Sequence, residues 1–153
     1  MHQEDGMKKF ARWTAPILCA LVIGFLFLAC EKKKEGKVQV IETDYYMVMD
    51  SNYSLSLNAK GRVRNIGEVD VRNVVVTGDC RSCGEVIMSG QWFISRHEEK
   101  RDDQKHVIPY LAVGGTADFD FQGIAYYYLK DGQKPDTIPD QLEVYIQSME
   151  SVN

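Results

Sequence analysis

The chain has 153 residues, 44% of them hydrophobic and 26% charged, with a formal net charge of -4 and a sequence pI near 5.4. That length supports one domain with a real core. The acidic balance argues against a nucleic-acid binder, which would need a basic stripe, and no internal repeat is visible.

The first element in chain order is an uncharged run, APILCALVIGFLFLA, from Ala15 to Ala29. It is shorter than the roughly 20 apolar residues of a membrane span. Lys8, Lys9 and Arg12 precede it, as a basic n-region precedes the apolar stretch of an export signal. Met7 opens "MKKF", a more usual signal start than Met1. The run stops at Cys30, and "FLAC" at Phe27–Cys30 resembles the bacterial lipobox, a small residue before an obligatory cysteine. Phe27 stands where that pattern usually has Leu. Cys19 fits less well, because bulky Leu18 precedes it and the apolar run continues past it.

The resemblance implies that Cys30 is lipidated at sulfur, that residues 1–29 are removed, and that the new amino group is acylated. The other readings of the run are an uncleaved anchor helix and ordinary cleaved secretion; in each the folded part faces outward. The expected location is the cell envelope, lipid-anchored to a bacterial membrane, with a periplasmic or extracellular domain.

Residues 30–36, "CEKKKEG", read as the lipidated cysteine and a charged tether, with Lys32, Lys33 and Lys34 against lipid headgroups. Loss of residues 1–29 takes away three basic and two acidic side chains. The remainder carries 15 basic and 20 acidic residues, a net charge of -5.

From Lys37 to the end the dominant period is two. Leu55, Leu57, Ala59, Gly61 and Val63 alternate with Ser54, Ser56, Asn58, Lys60 and Arg62. Phe119 and Phe121 alternate with Asp118, Asp120 and Gln122, and Leu142, Val144 and Ile146 stand against Gln141, Glu143 and Gln147. Half-buried antiparallel strands have this pattern. Strands are expected near residues 38–49, 53–64, 69–77, 85–95, 107–113, 116–129 and 141–149. Turns are signalled at Asn65–Gly67, Thr77–Asp79, Gly114–Gly115 and Asp131–Gly132. The fold class is all-β. About seven strands over residues 37–153 predict a single antiparallel two-sheet sandwich, with an open barrel as the alternative and a signal-peptide helix ahead of it.

"GRVRNIGEVDVRNVVV" and the later "LAVGGTADFDF" resemble the immunoglobulin-like sandwich domains of bacterial envelope proteins of the FxLYD type. Gly61, Val63, Asn65 and Gly67 fit the first family motif. Val71, Asn73, Val74 and Val76 fit the second, and Leu111, Gly114 and Phe119 the third. Val113 stands where the family has Pro, and "VTGDC" stands roughly where the naming motif would be. The resemblance covers about half the chain. It implies an immunoglobulin-like sandwich in an adhesive or accessory role, without catalytic residues to carry over.

Chemistry has few candidates. Cys80 and Cys83 form a C-x-x-C within "DCRSCGE". A redox cysteine of this type sits at a helix amino terminus, which lowers its pKa; here a strand-like stretch follows. The expectation is a structural disulfide, worth about 2 kcal/mol for so small a loop, with a small redox or metal-handling protein as the alternative. A metal set can be assembled from Cys80, Cys83, His97 and His106, although His-x8-His is wider than the usual zinc pattern. Both histidines lie in a mixed-charge run that reads as a solvated hairpin tip. Met47 and Met49 share a strand face and could offer thioethers to copper; core filling is the commoner use. No G-x-S-x-G, H-E-x-x-H or P-loop is present, so an enzyme is not expected, and neither is a cofactor.

The recognition candidate is "YYYLKDGQKPDTIP". Tyr126 and Tyr128 share one strand face and Tyr127 takes the other, next to a long loop, Lys130–Asp140. Tyrosine gives contact area at little entropic cost, and loops on rigid sandwiches often carry binding. The expected partners are the membrane, through the lipid, and a protein of the cell envelope.

Overall fold

The computed structural model describes residues 34–94 and 99–152. The apolar run, Cys30 and its expected cleavage site, and His97 lie outside the described residues. Among those described, no helix is long and apolar enough to cross a membrane.

Seven strands appear: β1 Val38–Ser51, β2 Ser54–Asn65, β3 Val71–Cys80, β4 Trp92–Phe93, β5 Lys105–Leu111, β6 Thr116–Tyr128 and β7 Leu142–Ser151. They form two antiparallel sheets, ordered β1-β2-β6-β4 and β5-β3-β7. Between the sheets lie Leu57, Ala59 and Val63 of β2, Val71, Val74 and Val76 of β3, Ile108 and Leu111 of β5, and Phe119, Phe121, Ile124 and Ala125 of β6. This is the expected sandwich. The period-two faces of β2 and β6 point inward as read, and Leu142, Val144 and Ile146 of β7 are half-buried against the core.

Bulges adjust the alternation where it would otherwise fail. Asn73 takes a left-handed φ of 51°, and between Arg72 and Val75 the register of β3 against β7 shifts. The extra residue lets Val71, Val74 and Val76 all face inward despite their uneven spacing. Asparagine tolerates this conformation better than most side chains, and its Nδ2 donates to Glu150 Oε1 at 3.1 Å.

The end of the sandwich where β1 begins is closed by hydrogen bonds. Asn65 is fully buried; its Nδ2 donates to Val69 O at 2.9 Å and to Leu111 O at 3.1 Å, and its Oδ1 accepts from Gly67 N at 2.9 Å. Its backbone pairs with Gly114 and Gly115. The turn Ala112–Gly115 has Gly114 at φ 73°, as a type II turn requires. Val113 sits at the position where such turns favour Pro, and its N–H donates to Asp70 Oδ1 at 2.8 Å, a bond Pro lacks.

The turn read at Thr77–Asp79 lies inside β3, which continues to Cys80, and two further expectations are corrected. The strand read over 85–95 shrinks to Trp92–Phe93, and Ser95 lies outside the described residues. Val86, Ile87 and Met88 are three consecutive apolar residues, not an alternating set, and all are exposed. A turn at Gly90, φ 80°, directs its N–H to Tyr128 O. The second correction concerns Met47 and Met49. They lie on the inward side of β1, opposite Leu57 and Leu55, yet are 41% and 43% exposed. β1 is an edge strand, and its last third is not covered as core.

Candidate functional site

Three tyrosines in a row fall at the end of β6, paired to the start of β2: Tyr128 with Ser54, Tyr127 with Leu55, Tyr126 with Ser56. Tyr127 points inward and is buried, its ring 5.3 Å from that of Trp92 at 57°. Tyr126 and Tyr128 stand on the outer face, as their spacing predicts. There they flank the small side chains of Ser54 and Ser56 and leave both serines buried, a covering the sequence pattern did not reveal.

A bulge sets this arrangement. Leu57 pairs with Ala125 and Ala59 with Phe121, so Asn58 alone opposes residues 122–124. Gly123 at the centre has φ 70°, and a Cβ there would lie 2.2 Å from the Tyr126 hydroxyl. Only glycine satisfies both conditions. Its N–H donates to Asn58 Oδ1 at 3.0 Å and its carbonyl accepts from Gln104 Nε2 at 2.8 Å. Gln104 closes a single 3-10 turn, Asp102–Gln104; its Oε1 accepts from Arg101 N at 3.1 Å and its backbone carbonyl from Thr77 Oγ1 at 2.7 Å. Gln104 is buried, so the run read as a solvated tip is partly built into the core. Among the described residues no buried side-chain polar atom lacks a partner.

The network fixes Arg101. Its guanidinium lies 5.8 Å from the Tyr126 ring centroid, donates to the Tyr126 hydroxyl, and pairs with Asp103 at 3.1 Å. Burial pushes the Tyr126 phenol above its ordinary pKa, Asp103 and Asp50 add to this, and Arg101 opposes it. From the other side Phe93 stacks on Tyr128, ring centroids 5.5 Å apart at 8°, and lies 6.0 Å from Tyr126. These residues, with Asp50, Ser54 and Ile87, line a pocket of about 310 Å³, at the small end of ligand-sized cavities. Aromatic faces, a cation and two carboxylates, Asp50 and Glu85, converge on one concavity; this suits recognition by stacking and hydrogen bonding.

Cys80 and Cys83 form a disulfide, with Cα atoms 5.5 Å apart. Cys80 is buried as the last residue of β3, opposite Leu142, and Arg81 N donates to Gln141 O at 3.1 Å. The bond closes a four-residue loop directly after β3, and no helix follows it. Of the metal set, His97 lies outside the described residues and the other members are not brought together. His106 pairs with Val76, four residues before Cys80 and so about 13 Å along the strand, and its Nδ1 lies 3.2 Å from Asp120 O. Among the described residues no group of His, Cys, Asp or Glu is placed to hold a metal.

The loop Lys130–Asp140 starts with a turn at Asp131 and Gly132, φ 53° and 72°. Its Thr137–Asp140 stretch lines a wider hollow of about 590 Å³ with Ser82, Gly84, Gln91 and Trp92, and Thr137 O accepts from Trp92 Nε1 at 3.3 Å. Sequence reading found the tyrosines and missed Phe93, Arg101 and Gln104. Only the aromatic pair Trp92–Phe93, inside an otherwise irregular stretch, hinted at them. Comparison with family models, curated proteins and solved structures finds no match.

Proposed function

We propose that this chain is a membrane-anchored lipoprotein of the bacterial cell envelope, with the FxLYD-like sandwich acting as a non-catalytic binding module for a protein partner. The observation that carries the binding role is the pocket of Tyr126, Tyr128, Phe93 and Arg101, built on paired strands rather than on loops alone. Rigid aromatic side chains with a fixed cation are the usual centres of recognition surfaces. The pocket lies at the far end of β1 from the tether, roughly 45 Å along fourteen strand residues.

Anchoring follows from hydrocarbon burial. Each buried methylene contributes about 0.8 kcal/mol; one chain binds marginally, and two or more hold stably. Acylation at the sulfur and amino group of Cys30 supplies them, and Lys32–Lys34 add about 1 kcal/mol each on anionic bilayers.

The test has two arms. Fatty-acid labelling and mass spectrometry of the native amino-terminal peptide should find an acylated Cys30, and Cys30→Ala should abolish the label. Native protein that keeps residues 1–29 and carries no fatty acid would falsify the anchor. A photo-reactive side chain at Tyr128 should capture a partner in intact cells, with capture lost in Arg101→Ala; capture unaffected by that change rules the pocket out.

A further inference from the structure

β1 is an edge strand whose outward side pairs with nothing among the described residues. Bulges sit at Ile41 and at Asp50, and between them Glu42–Met49 runs in unbroken register with residues 55–62. Eight residues give about 26 Å of regular edge, a row of main-chain donors and acceptors open to another strand. Exposed edges are normally blunted by lysine, proline or an inward charge. Of the edges of the other sheet, β5 follows that rule, with Lys105 and, at Pro109, a residue with no N–H, while β7 lacks lysine, arginine and proline as β1 does but breaks its register at two places. The run in β1 has no lysine, arginine or proline; its exposed side chains are Met47 and Met49 on the inner side and Val48, at 45%, with the acids Glu42 and Asp44 on the outer.

Charge decides what fits. The outer side of the run carries Glu42 and Asp44, opposite Arg62 and Lys60 of β2. Arg62 is shared between Glu42 at 3.2 Å and Asp118 at 3.3 Å. A second copy of β1, added about a two-fold axis, would gather Glu42 and Asp44 of both copies on one face with no cation on either strand. Like charges across a sheet are destabilising. A strand with basic residues at those positions completes the pattern.

We propose that the Glu42–Met49 edge binds an extended segment of a partner protein as an added strand. That segment has two basic residues two positions apart on its outer face and apolar residues on its inner face. Main-chain hydrogen bonds hold it, and the alternate side chains select it. The inference shares with the proposed function the idea of a binding module, but it uses a different surface; loss of acylation or of capture at Tyr128 leaves it intact.

The test uses the full chain purified in detergent and two labelled ten-residue peptides of alternating valine and threonine. One has two lysines on its threonine face, two positions apart; the other has glutamates there. The lysine peptide should bind at least tenfold more tightly and slow amide exchange within Glu42–Met49, leaving β5 and β7 unchanged. Met47→Lys should weaken it at least tenfold, and Glu42→Lys with Asp44→Lys should reverse the preference. Equal binding of both peptides, or protection confined to other strands, overturns the proposal. So does a concentration-dependent dimer that protects the same amides without peptide.

Discussion

The two ends of this sandwich are built by opposite means. Where β1 begins, side-chain amides and carboxylates close the turns: Asn65 takes up two carbonyls and an N–H, and Asp70 accepts from Tyr110 and Val113. Where β1 ends, a longer apolar surface stays open at Met47, Val48, Met49, Tyr53, Val86, Ile87 and Met88, beside an aromatic pocket, although Ile66, Tyr110 and Val113 are exposed at the first end too. Buried hydrogen bonding rewards one arrangement only, because each unmade bond is costly. Exposed apolar surface is tolerated in a stable fold when something else covers it. The difference separates the end that specifies the sandwich from the end with surface to spare.

Substitutions should divide the same way. Asn65→Ala is expected to cost most, about 3 kcal/mol, since it strands two carbonyls and an N–H in the closed end; a denaturation midpoint unchanged from wild type would break the contrast. Gly123→Ala should cost about 2 kcal/mol from its φ alone, and more from the clash with Tyr126. It should also release Arg101, visible as faster amide exchange at residues 101–104. Opening the disulfide with Cys80→Ser and Cys83→Ser should lower stability by about 2 kcal/mol and leave capture at Tyr128 in place; loss of capture would give the pair more than a structural role. Tyr128→Ala, at the open end and 39% exposed, should change stability by under about 1 kcal/mol while removing partner capture by a photo-reactive side chain placed at Ile87 on the pocket rim.

A pH series sharpens the comparison from the middle of the molecule. Burial would raise the Asp79 carboxyl, but hydrogen bonds from Lys100 and Tyr145 hold it below its ordinary pKa. The Tyr145 phenol is pushed up to about 12, first by burial and then by Asp79. The depressed acid contributes stability above its unfolded pKa and loses it as pH falls through the folded value. The raised phenol contributes below about pH 10 and loses it between there and about 12. Stability should therefore be flat through neutrality and decline at both extremes. Tyr145→Phe should make the alkaline decline between pH 10 and about 12 smaller, with the raised phenols of Tyr45, Tyr46, Tyr110 and Tyr126 supplying the rest; a decline of the same size in that variant contradicts the assignment.

Much of the fold was legible because its signals are local. Alternation in "SLSLNAKGRV" and "ADFDF" set the inward faces of β2 and β6, and Asn65–Gly67 and Gly114–Gly115 marked real turns. Tyr126 and Tyr128 were placed on one face by counting alone. The 85–95 stretch misled because apolar content was taken for alternation, and Met47 and Met49 because residues on an inward face were taken to be covered.

By itself, then, the chain determined its all-β class, the approximate strands, the facing of most side chains and the cysteine pair that closes on itself. Each of these depends on neighbours within a few residues, where steric period and turn chemistry act. Only the tertiary structure decided that Asn73 and Gly123 would be bulges, that Gln104 would reach across to one of them and hold Arg101 over Tyr126, and that β1 would end uncovered. These depend on which strands lie side by side and how far the second sheet extends, and residues far apart in sequence settle both through packing.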